Sequence, residues 1–407
     1  MALMVYKRVS SSFILFNLCI LIIFFSVTFF SASAQAATWS QVNTDGFGDS
    51  NNFIAATDLE YNGFIYVDTT NLTSGGGIWR TADGSSWTQV ASGGLGDTNN
   101  ISLVPLTSFN GYLYAGSYNV NGAELFRSSN GTAWTVTSST GLDGDTNNIF
   151  ITPEVVFGGY LYAGTNNSNT GGELWRSSDG TSANWDQVDA DGFGDVNNVM
   201  IRPRSVFNGY IYAIVNGSPT GGEVWRSADG TSTTWSQANA DGFGDSNNFL
   251  SHMTSLNGYL YAGTNNGFTG AEVWRSQNGT SWTQINTDGF GDNNNESISS
   301  LSAINGYLYA GTTNNSTGAE VWRSQNGTSW TQINTDGFGD SNNFRTRAKF
   351  VQLGNAVYIG GDNSFSGGEI WSMTLPPTGV NSLVLLLLAA TALGSGFVIL
   401  KLYKNQG

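Results

Sequence analysis

An acidic loop motif that returns at nearly constant spacing constrains the fold of this chain more than any other feature. The first copy reads "TDGFGDSNN", from Thr44 to Asn52. Its second aspartate recurs at Asp49, Asp97, Asp145, Asp195, Asp245, Asp292 and Asp340, with spacings of 48, 48, 50, 50, 47 and 48 residues. Such a period indicates a repeat architecture, in which each repeat is one supersecondary unit that buries its core against its neighbours.

The repeat unit contains four short segments with strand character. In residues 249–295 they read "FLSHMTSL", "YLYAGTNN", "AEVWRSQ" and "SWTQINT", and an Asn-Gly turn follows the first and the third segment. Asn-Gly between alternating apolar runs is the strongest short hairpin signal, because both residues tolerate positive φ. Side chains that alternate between two faces, as in "YLYAG", are typical of strands. We name the predicted strands A to D in chain order, with A innermost.

The repeat region does not begin with strand A or end with strand D. The region begins with a D strand, "TWSQVN" from Thr38, and ends with a C strand, "GEIWSM", before Pro376 and Pro377. The first strand can complete the last sheet, which removes a pair of exposed edges. We therefore predict an all-β fold over residues 37–374, a seven-bladed β-propeller of four-stranded blades whose last blade is closed by the N-terminal strand. An open β-solenoid is the alternative, and it would need capping ends.

The turns between strands C and D carry a family resemblance. They read "TADGSSW", "SADGTSTTW" and "SQNGTSW" among others, and they resemble the Asp-box of the sialidase-like, or BNR-repeat, propellers. Matching positions are Ser227, Asp229, Gly230 and Trp235 in one copy, and Ser276, Asn278, Gly279 and Trp282 in another. The Asp or Asn stands four or six residues before the Trp rather than the family's five. The resemblance implies a propeller in which these turns are structural, with the acid capping turn N–H groups and the Trp packing between sheets.

The N-terminal end has the composition of a signal peptide. Lys7 and Arg8 precede an apolar stretch from Phe13 to Phe30, and "SASAQA" offers small residues for cleavage after Ala36. Residues 1–36 are therefore predicted to be a signal peptide, with an uncleaved membrane anchor as the alternative. The only cysteine, Cys19, lies within this segment, so the mature chain is expected to contain no disulfide.

The C-terminal end, residues 375–407, resembles the sorting signal of sortase-anchored bacterial surface proteins. "LPPTG" precedes an apolar run and a basic tail, and the resemblance implies cleavage between Thr378 and Gly379. The alternative is a simple tail anchor, because about 20 apolar residues span a bilayer and lysines stay on the cytoplasmic side. Both interpretations predict an extracellular, cell-surface protein attached to the cell wall or membrane, with sortase as a partner in the first.

The charge of the region between these ends restricts its partners. Residues 37–378 contain all 30 acidic residues and only 11 of the basic ones. Nucleic acid is excluded as a partner of so acidic a surface. An extracellular glycan or protein is more compatible, and we expect a monomer.

The predicted A strands break the repetition at positions expected to line the central channel. Their polar and charged members are Asp58, Glu154, Arg202, Arg204, His252, Arg345, Arg347 and Lys349. One interpretation is a set of salt bridges that fill the channel, for example Asp58 and Glu154 against the bases. The other is a channel mouth that binds an anionic or polar group, such as a sugar carboxylate. The sequence does not decide between the two.

The loop aspartates from Asp49 to Asp340 are weak candidates for calcium. A Ca²⁺ site needs several carboxylate and carbonyl oxygens, and one aspartate with asparagine amides is a thin set. A self-capped turn, in which the aspartate accepts loop N–H groups, is favoured, and no cofactor is expected. The glutamates that precede the strand C aromatics, such as Glu173 and Glu320, are predicted to pair with a neighbouring strand; a ligand pocket is the alternative.

Three functions stay open from the sequence. The favoured one is a surface-anchored propeller that is not an enzyme and that binds extracellular glycans or another surface partner. The second is a sialidase-like glycoside hydrolase, for which Arg202, Arg345 and Arg347 could supply the arginine cluster that the resemblance implies. The third is a purely structural envelope protein, which would tolerate changes at the channel arginines.

Overall fold

The computed structural model describes residues 38–375, apart from 139, 183 and 218. The predicted signal peptide and the predicted sorting segment with Thr378 and Gly379 lie outside these residues. Within them no helix has the length and apolar character needed to cross a membrane. The described chain consists of β-strands and short 3₁₀ turns, so the all-β prediction is confirmed.

Twenty-eight strands are described, and they pair in antiparallel sets of four. Six sets are continuous in the chain: β2 (Asn52–Tyr61), β3 (Phe64–Asn71), β4 (Gly77–Thr81), β5 (Thr88–Ala91); β6 (Ser102–Phe109), β7 (Tyr112–Tyr118), β8 (Leu125–Ser128), β9 (Thr135–Val136); β10 (Phe150–Phe157), β11 (Tyr160–Asn166), β12 (Leu174–Ser177), β13 (Trp185–Gln187); β14 (Met200–Phe207), β15 (Tyr210–Asn216), β16 (Glu223–Ser227), β17 (Ser236–Gln237); β18 (Phe249–Leu256), β19 (Tyr259–Asn265), β20 (Val273–Ser276), β21 (Trp282–Gln284); β22 (Ser297–Ile304), β23 (Tyr307–Thr313), β24 (Val321–Ser324), β25 (Thr331–Gln332). The last set is β26 (Asn343–Leu353), β27 (Ala356–Asn363) and β28 (Glu369–Thr374), and β1 (Trp39–Gln41) completes it by pairing with β28, with Trp39 opposite Met373.

Adjacent sets are joined where their second strands end. Single backbone pairs link Asn265 of β19 to Ser297 of β22, and Thr313 of β23 to Arg345 of β26. Through such links the strands form one sheet of sixteen and one of twelve, and neither closes on itself among the described strands. The count and closure of the blades therefore stay predictions.

The core lies between adjacent sets, because each hydrophobic cluster combines residues of two neighbouring sets. The tyrosine in the middle of each second strand is buried, as in Tyr162 of β11. Its hydroxyl lies under the turn of the following set, where a Cβ at Gly230 would stand 1.9 Å from it. The glycine of this turn is thus required by a close approach and by its φ of +71°.

The loop motif is the crossing between one set and the next. In the first copy Phe47 has a left-handed φ of 56° and stacks on Trp79 of β4, with ring centroids 4.5 Å apart. The same stacking recurs at the other phenylalanine copies, and Leu95 and Leu142 take the place of Phe in two copies. The phenylalanine or leucine side chain therefore packs each crossing against the core.

Candidate functional site

The innermost strands surround a cavity of about 450 Å³. Every set contributes a residue from its first strand, as shown by Ala56, Val104, Phe150, Arg202, His252, Ser299 and Arg347. Ends of second strands complete the wall, with Asn216 and Asn265. The second strands end where the first strands begin, on the side of the molecule that carries the repeated motif, so the cavity lies toward that side.

The structure divides the eight predicted channel residues into two groups. Six of them line the cavity: Arg202, Arg204, His252, Arg345, Arg347 and Lys349. Asp58 and Glu154 lie behind the wall and are 1% and 9% exposed. The cavity surface is therefore more basic than the sequence pattern suggested.

Glu154 neutralises part of the charge on one side. Its Oε1 is 3.0 Å from Arg202 Nη2, and its Oε2 is 2.8 Å from Arg204 Nη1. Burial alone would raise the pKa of Glu154, but the charges of Arg204 and Arg202 outweigh it and hold the pKa below its usual value. This pairing matches the salt-bridge interpretation, although one carboxylate cannot balance two guanidinium groups.

Asp362 neutralises part of the charge of Arg345 and Arg347. Arg347 donates from Nε to its Oδ1 at 2.6 Å, and Arg345 Nη1 lies 3.9 Å from Oδ2. The two arginine side chains stay 31% and 35% exposed, while the Asp362 side chain is 2% exposed. Arg345 and Arg347 thus present guanidinium surface to the cavity while a buried carboxylate holds them in place.

Lys349 and His252 form no ion pair with an acid in the part of the chain that the structure describes. The four close ion pairs of this part all use Glu154 or Asp362. Burial lowers the pKa of His252 well below its usual value, and the charges of Arg204 and Arg202 lower it further. The imidazole is therefore neutral near pH 7, with Nδ1 3.3 Å from the Ile298 carbonyl oxygen.

Asp68 supplies the carboxyl group of the cavity wall. Ser102 donates from Oγ to its Oδ2 at 3.1 Å, and burial raises the pKa of Asp68 to about 7. Asp58 lies close behind it, and burial together with the charge of Asp68 raises the pKa of Asp58 well above its usual value. Neither oxygen of Asp58 has a hydrogen-bond donor of good geometry in the described chain. At least one carboxyl of this pair is protonated near neutral pH, since two adjacent buried carboxylates repel each other.

Asp68 and Asp362 were missed by the sequence analysis, which considered only strand A. Both stand on second strands at points where the repeat changes. Asp68 takes the position that is glycine in most copies, opposite Ala56 just as Gly116 is opposite Val104. An aspartate in place of the glycine of "YAGT" was the signal that could have identified it.

A backbone irregularity at Ala348 determines the positions of Arg347 and Lys349. Ala348, between Arg347 and Lys349, has a left-handed φ of 58°, and the pairing of β26 with β27 shifts register between Arg347 and Val351. A non-glycine residue with a left-handed φ is destabilised by roughly 1–2 kcal/mol. Strain of this kind is often found at functional sites, where the surrounding structure maintains it.

The loop aspartates accept hydrogen bonds from groups of their own turns. Asp49 accepts the Asn51 backbone N–H at 2.9 Å and its amide at 2.8 Å on Oδ1, and the Asn71 amide at 3.2 Å on Oδ2. Asp97, Asp145, Asp195, Asp245, Asp292 and Asp340 accept the equivalent loop N–H groups. The described residues contain no group of three or more His, Cys, Asp or Glu side chains suited to a metal ion. The self-capped turn is confirmed, and the absence of a cofactor stays a prediction.

The strand C glutamates lie outside the cavity. Glu173 accepts hydrogen bonds on Oε2 from Trp175 Nε1 and Asn148 Nδ2, both at 2.7 Å. Glu223, Glu272, Glu320 and Glu369 repeat the arrangement. Their partners are thus a tryptophan of the same strand and an asparagine of the loop motif, rather than residues of the neighbouring strand that was predicted. Burial raises the pKa of all five, that of Glu173 to about 7.

The chain matches no family model and no curated protein sequence. Among solved structures, a prolyl endopeptidase is 12% identical with a TM-score of 0.52, covering 81% of this chain and 52% of its own. An ulvan lyase, a polysaccharide lyase solved bound to -[GlcA(1-4)Rha3S]-, is 12% identical with a TM-score of 0.51, covering 81% of this chain and 94% of its own. A sialidase of Trypanosoma rangeli is 10% identical with a TM-score of 0.46, too low to carry an argument.

These likenesses show the fold alone, a β-propeller-like fold shared with other propeller enzymes. The chain spans about half the length of the prolyl endopeptidase it matches. The prediction that the protein is not an enzyme is contradicted, because the solved structures it resembles are enzymes: endopeptidase, puromycin hydrolase and lyase. That prediction relied on the lack of a recognisable catalytic set in the sequence. In the structure Asp68 and His252, which are distant in the sequence, line one cavity.

Proposed function

We propose that this protein is an enzyme that acts on an acidic polysaccharide, whose carboxylate binds at the basic cavity. One observation carries the proposal. Five of the 11 basic residues between 37 and 378 line the cavity, whereas Asp68 is the only acidic residue of its described lining. An electropositive cleft in an acidic protein concentrates anions and repels other ligands.

Elimination is the chemistry that these side chains support best. Arg345 and Arg347 would neutralise the carboxylate of a uronic acid, which makes the hydrogen on the adjacent carbon more acidic. The neutral His252 would accept that proton, and protonated Asp68 would donate one to the leaving oxygen. The carbon–oxygen bond breaks, a double bond forms, and no water is consumed.

Hydrolysis fits the cavity less well. Most glycoside hydrolases place two carboxyl groups on either side of the scissile bond. The described lining offers only Asp68, and it contains no tyrosine that could act as the nucleophile of a sialidase-like enzyme. The ulvan lyase, whose substrate contains glucuronic acid, has this fold, and that likeness supports the proposal without assigning the substrate.

The experiment is a digestion of uronic-acid polysaccharides, with neutral glucans as a comparison. We expect cleavage of an acidic polymer, ultraviolet absorbance from the new double bond, and product masses without added water. His252→Gln should lower kcat by about 10²–10⁴-fold, the usual contribution of a general base. Arg345→Gln should raise KM about tenfold, and Arg323→Gln, outside the cavity, should change neither. Products with added water would indicate the hydrolase instead, and no cleavage of any acidic polymer would refute the proposal.

We also propose that the sets of strands close into a seven-bladed ring. Two contacts between the last and first sets support closure: Asp362 of β27 pairs with Ile54 of β2, and Tyr358 lies under the turn at Gly84. The turns support the Asp-box relationship, because Asp83 accepts the backbone N–H groups of Ser85 and Ser86. An experimental density map with a different number of blades would exclude the ring.

We propose in addition that the protein is secreted through residues 1–36 and anchored at the cell surface through "LPPTG". An extracellular position would give the cavity access to polymers that do not enter cells. Mass spectrometry of the mature protein should find an N-terminus at Ala37 and a C-terminal Thr378 joined to the cell wall. An intact C-terminal segment in the membrane fraction would favour the tail anchor.

A further inference from the structure

Two cavities meet at the same three basic side chains. A second cavity of about 260 Å³ lies further along the first strands, toward the turns that join them to the second strands. Arg204, His252 and Lys349 line both cavities. These three side chains therefore occupy the interior of the channel, beyond the arginines at its mouth.

Lys349 is a charge without a counter-charge in the described residues. Its nearest acidic groups act on it only at longer range, because none forms an ion pair with it. Glu154 is already bound by Arg202 and Arg204, and burial raises the pKa of Asp58, which disfavours the charged form of that carboxyl. An uncompensated ammonium group inside a protein is costly, and an anion beside it removes the cost.

Arg204 has a second unsatisfied donor at the same place. Its side chain is 5% exposed, its Nη1 bonds Glu154, and its Nη2 donates to the Ser251 carbonyl at 2.9 Å. Its Nε–H has no acceptor in the described structure. Buried N–H groups are rarely left without a partner, so the orphan donor indicates an acceptor supplied from outside the chain.

The surroundings can complete an oxyanion site. Ser205, Thr254 and Ser255 line the second cavity with hydroxyl groups that can donate hydrogen bonds. Several donors that approach from different directions suit a tetrahedral oxyanion better than a spherical halide.

We infer that the channel interior binds a free tetrahedral oxyanion, inorganic sulfate or phosphate, through Lys349 and the Nε–H of Arg204. This site is separate from the carboxylate site proposed at Arg345 and Arg347, and it goes beyond the proposed function. The bound ion would balance the basic interior and hold the first strands of neighbouring sets together.

Calorimetric titration with inorganic sulfate, at constant ionic strength in chloride, tests the inference. We expect wild-type protein to bind sulfate, Lys349→Met to weaken binding at least about tenfold, and Lys349→Arg to retain it, since the arginine keeps the charge. Arg345→Gln is the matched control and should keep the Lys349-dependent binding. Circular dichroism of each variant verifies folding.

Three results would overturn the inference. The first is wild-type protein that does not bind sulfate or phosphate, and the second is binding that Lys349→Met leaves unchanged. Binding of a sulfated monosaccharide without binding of free sulfate would overturn it too, because the site would then recognise a substituent of a sugar. The titration needs no substrate turnover, so it succeeds or fails independently of the polysaccharide digestion.

Discussion

At the scale of the residue, the candidate site depends on Asp68, a single departure from the repeat. Most second strands carry glycine where β3 carries Asp68, and the position faces the channel. In the salt-bridge interpretation its neighbour Asp58 would balance the channel bases, but Asp58 is buried and forms no ion pair among the described residues. Strand alternation predicted which positions of the first strand reach the channel. It could not predict which carboxyl of a second strand would meet them.

Asp58→Asn is expected to stabilise the protein at neutral pH. Both pKa values in the Asp58–Asp68 pair are raised in the folded state, so their contribution to stability falls as pH rises from about 4 toward 7. Asparagine resembles the protonated acid and removes one carboxylate. The free energy of unfolding in urea should increase by about 1 kcal/mol or more at pH 7.

At pH 4.5 the same substitution should have a smaller effect, because the raised pKa of Asp58 increasingly favours its protonated form as the pH falls. An equal change at both pH values would show that the effect of the substitution is not electrostatic.

At the scale of the element, turns and one irregular strand determine how the sets fit together. The turn glycines were predicted from hairpin chemistry alone, and the structure adds a second reason, the tyrosine hydroxyl beneath them. The bulge at Ala348 has no sequence signal, because alanine does not mark positive φ as glycine or asparagine does. Tertiary contacts create it: Thr57 and Ser300 pair with Ala348 from both sides.

Gly230→Ala should be strongly destabilising. The added Cβ would meet the Tyr162 hydroxyl at 1.9 Å, and the overpacking adds to the cost of a left-handed alanine. We expect a loss of about 3 kcal/mol or more in the free energy of unfolding, since overpacking alone costs roughly 1–3 kcal/mol.

Gly209→Ala is the matched control for that change. Gly209 has a φ of +79°, and nothing lies within 4 Å of its added Cβ. The loss there should be only about 1 kcal/mol, the cost of the backbone conformation. Equal losses at both positions would mean that the tyrosine can move away.

Ala348→Gly should stabilise the bulge by up to about 1 kcal/mol in urea unfolding, because glycine adopts positive φ without strain. Ala213→Gly, in the regular buried strand β15, is the comparison and should destabilise. If Ala348→Gly lowers the free energy of unfolding as much as Ala213→Gly does, the backbone at Ala348 is not strained.

At the scale of the whole molecule, the repeated glutamates link stability to pH. Glu173 and its four counterparts have pKa values raised by burial, that of Glu173 to about 7, so the folded state binds more protons than the unfolded state above pH 4.5. Their contribution is therefore lost as pH rises through the raised pKa values. The carboxylates with lowered pKa values, such as Glu154 and Asp49, act oppositely but only at lower pH.

The Tm of the protein should consequently rise by several degrees when pH is lowered from 7.5 to about 5.5. Scanning calorimetry across this range measures it. Glu173→Gln should raise Tm by a few degrees at pH 7.5 and leave it nearly unchanged at pH 5.5. A Tm that falls on acidification in this range would contradict the assignment.

The sequence alone determined the period, the strand class, the turn chemistry and which first-strand residues vary, because these follow from local backbone preferences and from strict repetition. It did not determine whether the protein is expected to be an enzyme, or which residues pair with the charged side chains of the channel. Those depend on which side chains of distant sets face one cavity, as Asp68, His252 and Arg347 do. Burial in that cavity makes His252 neutral and raises the pKa of Asp68, and burial is a property of the assembled sets rather than of any segment.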